Sequence, residues 1–168
     1  ALREGRSDFA LAGGIACEPD RFYQNEGARR GYLLVGCEQK SADKLVQPFH
    51  RKGPGTVMSE GTGFVCMESL EHAQKGGRAP LAEVEFYANG TLSAFGGESE
   101  QSIQTLEQLL HRYFAETGAL PESLLIWGNA GGIAADDQIE IQALRRVATQ
   151  RNFEKLRVTS AKSMLGDV

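Results

Sequence analysis

Two stretches near the carboxyl-terminal end bring polar groups to the ends of apolar segments. Leu124-Leu125-Ile126-Trp127 delivers Gly128-Asn129-Ala130-Gly131-Gly132, and Leu156-Arg157-Val158 delivers Thr159-Ser160-Ala161-Lys162-Ser163-Met164-Leu165-Gly166-Asp167-Val168. Strand ends are where open α/β sheets present reactive groups. The groups on offer are few: Lys162 supplies a positioning charge, Asp167 a carboxylate, and Gly131 no side chain. Elsewhere, the three cysteines lack the signs of a nucleophile. Cys17 trails Gly13-Gly14, outside the helix amino-terminal setting that lowers a thiol pKa, and reads as structural. Cys17, Cys37 and Cys66 show no CxxC spacing, which fits a reducing cytosol and neither a disulfide frame nor a zinc site. His50 reads as loop surface and His111 as a packed or surface side chain. No metal or cofactor is expected.

The elements that must position these groups follow from periodicity. Ala1 to Arg6 reads as the last turns of a helix ended by Gly5, followed by a strand from Asp8 to Ala12 and Gly13-Gly14. Residues 15–52 are irregular, with Tyr32-Leu33-Leu34-Val35 reading either as a short strand or as apolar cover over a neighbouring chain. In GPGTVMSEGTGFVCMESLEHA, residues 53–73, Glu60 stands among glycines. Gly61 and Gly63 are expected where the backbone turns or approaches another segment closely. Phe64 to Met67 reads as a short buried strand, and Glu68 to Ala73 as a helix stopped by Gly76-Gly77. Ala82, Val84 and Phe86 alternate with Glu83 and Glu85, as in a half-exposed strand, and Asn89-Gly90 signals a turn. Ser99 to Thr117 is the clearest helix, with a stripe of Ile103, Leu106, Leu109, Leu110, Tyr113 and Phe114, and Gly118 just past its end. A buried strand at 124–127, a helix over Asp136 to Gln150 with Ile139, Ala143, Leu144 and Val147 inward, and a strand at 156–158 complete an α/β order.

Bulk properties narrow the function classes. The 168 residues suffice to bury a core, and 41% hydrophobic with 24% charged residues is ordinary for a globular protein. A net charge of -4 argues against nucleic acid as a partner. Arg29-Arg30 and Arg51-Lys52 read as solvated loop charges. No apolar run approaches the roughly 20 residues of a membrane helix, and ALREGRSDFA has no apolar signal core. A cytoplasmic protein is expected.

Residues 55–73 resemble, in register, the phrase GFVMGEGAGVLVLESLEHA of β-ketoacyl synthases, members of the thiolase-like superfamily. Ala1 to Gly14 resembles their A-I-R-x-G-x-A-D-x-x-x-A-G-G, Gln47-Pro48-Phe49-His50 their R-P-F-D, and Asp137 to Leu144 their D-K-x-E-T-x-A-L. The resemblance implies a layered αβαβα fold, with residues 1–76 ending the first half and 77–168 opening the second. It places the family's nucleophilic cysteine just upstream of Ala1. It implies interface contact for residues 15–52.

Two departures carry the functional expectation. Where the family has N-A-H-G-T, this chain has Asn129-Ala130-Gly131-Gly132-Ile133. Where it has S-T-K-S-M-x-G-H, this chain keeps Ser160, Lys162, Ser163, Met164 and Gly166 but ends in Asp167. The family's two histidines assist decarboxylation and stabilise the enolate and oxyanion. Losing one such donor costs about 3 kcal/mol of transition-state stabilisation, so losing both leaves little rate. Gly131, Lys162 and Asp167 are therefore expected to mark a degenerate site, with Lys162 and Asp167 paired. The pattern resembles the chain-length-factor branch, whose subunits pair with an active ketosynthase and shape the tunnel for a chain carried by acyl carrier protein. An atypical active synthase and a purely structural subunit are the alternatives. The chain is also expected not to be a complete folding unit and to associate through exposed sheet.

Overall fold

The computed structural model describes residues 2, 4–16, 21–34, 42–92 and 99–165. In chain order the elements are β1 (Phe9–Ala16), α1 (Arg21–Arg29), α2 (Ala42–Leu45), β2 (Gly61–Glu68), α3 (Leu70–Lys75), α4 (Ser99–Thr117), β3 (Ile126–Trp127), α5 (Ala134–Gln150), β4 (Val158–Thr159) and α6 (Lys162–Leu165). They fall into two compact units, one of residues 1–18 and 60–85, the other of residues 19–59 and 86–168. The glycine-rich stretch 53–73 is divided between them. Its first seven residues belong to the larger unit and the rest to the smaller.

In the larger unit, the core lies where α4 meets α5. Ile103 and Phe114 of α4, with Ala143, Leu144 and Val147 of α5, are buried, and these are stripe residues spaced by helical turns. Phe114 stacks edge-on against Tyr113 and Phe153, and Tyr113 against Phe86, with centroids 4.9–5.7 Å apart. The polar margin of the same contact is paired. Arg146 reaches Glu100 through two hydrogen bonds of 2.6 and 2.7 Å, and the guanidinium holds that carboxyl down at about 2. His111 is a packing residue: its ring meets Gln150 at 2.6 Å and Arg151 at 3.2 Å. Gly118, at φ +65, closes α4 in a left-handed conformation that suits glycine. β3 and β4 are parallel, with Ile126 opposite Val158, and α5 runs between them in sequence. That is the βαβ order expected of an α/β sheet.

The smaller unit is an antiparallel ribbon and a helix. β1 pairs with β2 from Phe9↔Glu68 to Ala16↔Gly61. Ser69 caps α3, its hydroxyl accepting from the His72 amide at 3.2 Å. Glu68 receives both Arg78 nitrogens, at 2.9 and 2.7 Å, and His72 at 2.7 Å. Those partners hold its carboxyl at about 2. Gly76 and Gly77 end the helix as the sequence predicts.

Several sequence expectations need correction. Phe64 to Met67 lies in an eight-residue strand that is not buried: Phe64, Val65 and Cys66 are exposed, as are Phe9, Leu11 and Ile15 opposite. Apolar composition predicts a strand, but burial requires a covering layer, which the ribbon does not supply. Gly61 and Gly63 lie inside this ladder, neither with positive φ, and a Cβ at Gly63 would meet nothing within 4 Å. The close approach is made by Gly13 instead, against the Gly63 carbonyl and the Phe64 ring. Glu60 is exposed just before the strand. Residues 82–86 join no ladder, and Asn89-Gly90 makes no hairpin, because alternation fixes faces but does not provide a partner strand. Where the end of a helix was expected, Gly5 N–H donates to the Leu2 carbonyl at 3.1 Å in a turn. The strands expected at 124–127 and 156–158 contract to two residues each, and Leu125 and Trp127 are exposed. Tyr32 to Leu34 makes a single parallel bridge, Leu33 to Thr56. Cys17, Cys37, Val35 and Asp167 lie outside the described residues.

Candidate functional site

The site forms at the carboxyl ends of β3 and β4, within the larger unit, where three backbone segments meet. The first is the turn Gly128 to Ile133. Asp137, one turn into α5 and 1% exposed, fixes it with its carboxylate. Gly131 N–H donates to Oδ1 at 3.0 Å, while Gly132 N–H at 3.2 Å and Phe49 N–H at 2.7 Å donate to Oδ2. Burial pushes this carboxyl up, against the three donors that favour its charge. Glu140, one turn further on, accepts from Asn129 N–H at 2.7 Å, and burial raises it too, with the nearby Lys162 charge acting in the opposite direction. The acidic residues of α5 thus replace the backbone pairing that an irregular turn lacks.

The second segment is the loop from Gly53 to Val57. Gly55 N–H donates to the Gly132 carbonyl at 3.0 Å, and Pro54 bridges to Ile133. The two chains touch backbone to backbone: a Cβ at Gly132 would lie 2.7 Å from the Gly55 carbonyl oxygen, and Gly132 and Gly55 have φ of +84 and +128. This is the tight glycine contact that the sequence led us to expect six to eight residues later. Just before this loop, Phe49, at φ +62, also reaches Asp137, and its ring lies against Gly128. His50 sits beside it as exposed surface, its Nδ1 accepting from the Lys52 amide at 3.3 Å.

The third segment follows β4. Ser160 Oγ donates to the Ala130 carbonyl at 2.8 Å and accepts from Lys162 N–H at 3.3 Å, so one hydroxyl ties the two strand ends together. Lys162 is half-buried and its chain passes next to Gly131, with Cδ and Nζ 3.5 and 3.9 Å from where a Cβ there would stand. The structure therefore brings Gly131 and Lys162 together, while Glu60, Gly61 and Gly63 belong to the other unit.

Two residues escaped the sequence reading. Thr56 is 1% exposed, and its hydroxyl lies 3.6 Å from the same Gly131 Cβ point without a hydrogen-bond partner among the described residues. Ser59 Oγ is likewise buried and unpaired. Both stand where the phrase GFVMGEGAG has other residues, phenylalanine for Thr56 and glycine for Ser59. Those mismatches were the available signal. Among the described residues no group of three or more His, Cys, Asp or Glu side chains could hold a metal ion. No helix there is long and apolar enough to cross a membrane.

An α/β framework with glycine-rich turns at the ends of parallel strands is shared with ketosynthases of the thiolase fold. The type II polyketide synthase structure of an acyl-carrier protein in complex with its ketosynthase bound to the hexaketide superposes with a TM-score of 0.81 at 23% identity, over 98% of this chain and 40% of that one. The ishigamide ketosynthase/chain length factor gives a TM-score of 0.75 at 26% identity, over 98% of this chain and 38% of that one. The chain belongs to the β-ketoacyl synthase family: the model of the N-terminal domain matches residues 1–73 and that of the C-terminal domain residues 81–168. Polyketide synthase GfsA of Streptomyces halstedii is 28% identical over 99% of this chain, which spans 2% of that protein. The chloroplastic 3-oxoacyl-[acyl-carrier-protein] synthase I of Arabidopsis thaliana is 29% identical over 98% of this chain, which spans 34% of it.

Proposed function

We propose that this chain is part of a ketosynthase-like subunit of the chain-length-factor type, which pairs with an active β-ketoacyl synthase and helps shape the path of an acyl chain held by acyl carrier protein. The observation that carries the reading is Gly131. Its turn is kept in place by Asp137, Glu140 and Ser160, yet the side chain that would act on an enolate is missing. Preserved scaffolding around a vacant catalytic position is what a tunnel-forming partner requires. A condensing enzyme requires the donor. The resemblance to a ketosynthase/chain length factor supports the same choice. Residues 1–76 then close the first half of the fold and 77–168 open the second, in keeping with the two family-model matches. Glu60, Gly61 and Gly63 serve the architecture of the first half.

The test is a condensation assay on the full-length protein containing this chain, with acylated and malonylated carrier proteins. Alone it yields no β-ketoacyl product above a blank. Paired with an active ketosynthase it alters product chain length. Product formed by the protein alone, and abolished by thiol alkylation, would establish an atypical synthase. Absence of any effect on product in the pair would leave a purely structural subunit.

A further inference from the structure

Among the described residues, β4 is paired on one side only. Ile126 N–H and Gly128 N–H donate to the carbonyls of Arg157 and Thr159, at 2.9 and 2.7 Å, and these are alternate residues of the strand. In a parallel ladder the peptide groups of the residue between them point the other way. The N–H and C=O of Val158 therefore face away from β3, and no described residue meets them there. Leu156, two residues back, is likewise without a backbone bond among the described residues.

The same edge borders a groove of about 380 Å³. Asn152, at φ +56, reverses the chain at the end of α5, and Phe153 N–H donates to Ala148 C=O at 2.8 Å, so the chain returns towards β4 beside the helix. Ile141, Leu144 and Ala148 of α5 form one wall, and Leu156 and Val158 another. The helix positions recur at three- and four-residue spacing, which puts them on one face. Arg145, Glu154 and Lys155 stand at the rim, all exposed. Their side chains have no ion-pair partner among the described residues, so the rim carries one more positive charge than negative.

Three features must be served together: an open backbone edge, apolar walls and an excess of cation. A hydrocarbon leaves the peptide groups and the cations unserved, and a compact anion leaves the walls bare. An extended peptide serves all three. Its backbone pairs with Val158, as in recognition by strand addition. Residues two apart share a face of a strand, so an apolar residue seated in the groove carries its second neighbours to the rim. There Arg145 and Lys155 favour carboxylates over ammonium groups.

We infer that the open edge of β4 and the adjoining groove form a docking site for an extended segment of a partner protein, in which an apolar residue has acidic residues two positions away. The site lies outside the turn at Gly131 and does not depend on whether the subunit condenses acyl chains.

Fluorescence anisotropy on the full-length protein containing this chain tests it, with a labelled heptapeptide Thr-Glu-Thr-Leu-Thr-Glu-Thr as probe. In low salt the probe should bind about tenfold more tightly than its counterpart with lysine for both glutamates. Arg145→Glu combined with Lys155→Glu should reverse that order, and both side chains are exposed, so the fold is retained. Serine in place of the probe's leucine should abolish binding. Val158→Pro removes the outward N–H at an edge where proline is tolerated, and should weaken the probe about fivefold. If Val158→Pro does not fold, N-methylation of the probe's amides serves the same comparison. Equal binding of the acidic and lysine probes, or an order unchanged by the double charge reversal, overturns the proposal. So does equal binding to the wild type and Val158→Pro, since no strand is then added. Absence of binding, as when another part of the same subunit or a second copy fills the groove, overturns it too. None of these results touches product formation by the paired synthase, which has its own assay.

Discussion

Gly131 and Gly132 are neighbours with opposite constraints. A Cβ at Gly131 meets only ordinary contacts at 3.5–3.9 Å and its φ is not positive, whereas Gly132 combines φ +84 with a backbone oxygen 2.7 Å from any Cβ. Gly131→Ala is therefore expected to leave stability unchanged or raise it by a few tenths of a kcal/mol, and Gly132→Ala to cost about 1–3 kcal/mol. Urea denaturation midpoints of the two variants decide this, and equal midpoints would refute it. The backbone at Gly131 thus accepts a Cβ, with Lys162 and Thr56 as its nearest neighbours. Asp137 is the opposite case. Asp137→Asn keeps the shape but leaves at least one of three backbone donors facing an amide. A loss of about 1–3 kcal/mol is expected in the same experiment. Asp137 could be aligned from the family phrase D-K-x-E-T, but its service to Phe49, Gly131 and Gly132 could not, because those donors are 88, 6 and 5 residues away in sequence.

Among the elements, α4 and α5 were the most legible, because each carries an apolar stripe long enough to define a period. Ile103 is 2% exposed in their contact, so Ile103→Ala should cost about 2–5 kcal/mol, read from the thermal or urea transition. The same helix pair has a pH signature. Arg146 lowers Glu100 from an ordinary 4.5 to about 2. A carboxyl depressed on folding adds stability that is fully present above its unfolded pKa and is lost as pH falls through the folded value. The contribution should therefore disappear between about pH 4.5 and pH 2. Glu100→Gln should lower the urea midpoint at pH 7 and make no difference near pH 2. The gap at pH 7 should shrink in high salt, because the pair is exposed. A gap that persists near pH 2 would show that the residue acts through packing.

At the scale of the whole molecule, the β1–β2 ribbon leaves Phe9, Leu11, Ile15, Phe64 and Val65 exposed to an extent unusual for a soluble surface. The 168-residue chain on its own should therefore self-associate, and a charge on the ribbon should oppose it. Light scattering after size exclusion is expected to show a smaller mean mass for Leu11→Lys than for the wild type at equal concentration. A wild type that elutes as a sharp monomer would sink the idea. So would a variant that associates equally strongly.

The sequence by itself determined the family, the ends of α4 at Ser99 and Gly118, the β3–α5–β4 order and the absence of an imidazole at Gly131, but not α1 and α2, which lie in residues 15–52 that read as irregular. These are local properties: a stripe, a cap, a phrase in register, or a residue identity. Only the tertiary structure decided what lies opposite what. Strand pairing and burial depend on partners distant in sequence, so Phe64 to Cys66 lie in a strand yet are exposed, and residues 82–86 alternate yet join no strand among the described residues. Glycine at 61 and 63 looked like the tight contact, but the residues that a Cβ would crowd are Gly13, opposite Gly63 and Phe64, and Gly132, opposite Gly55, whose meeting requires the loop at 53–57 to reach the end of β3. Thr56 gained its significance in the same way. An ordinary hydroxyl in the sequence is buried by folding with no hydrogen-bond partner among the described residues.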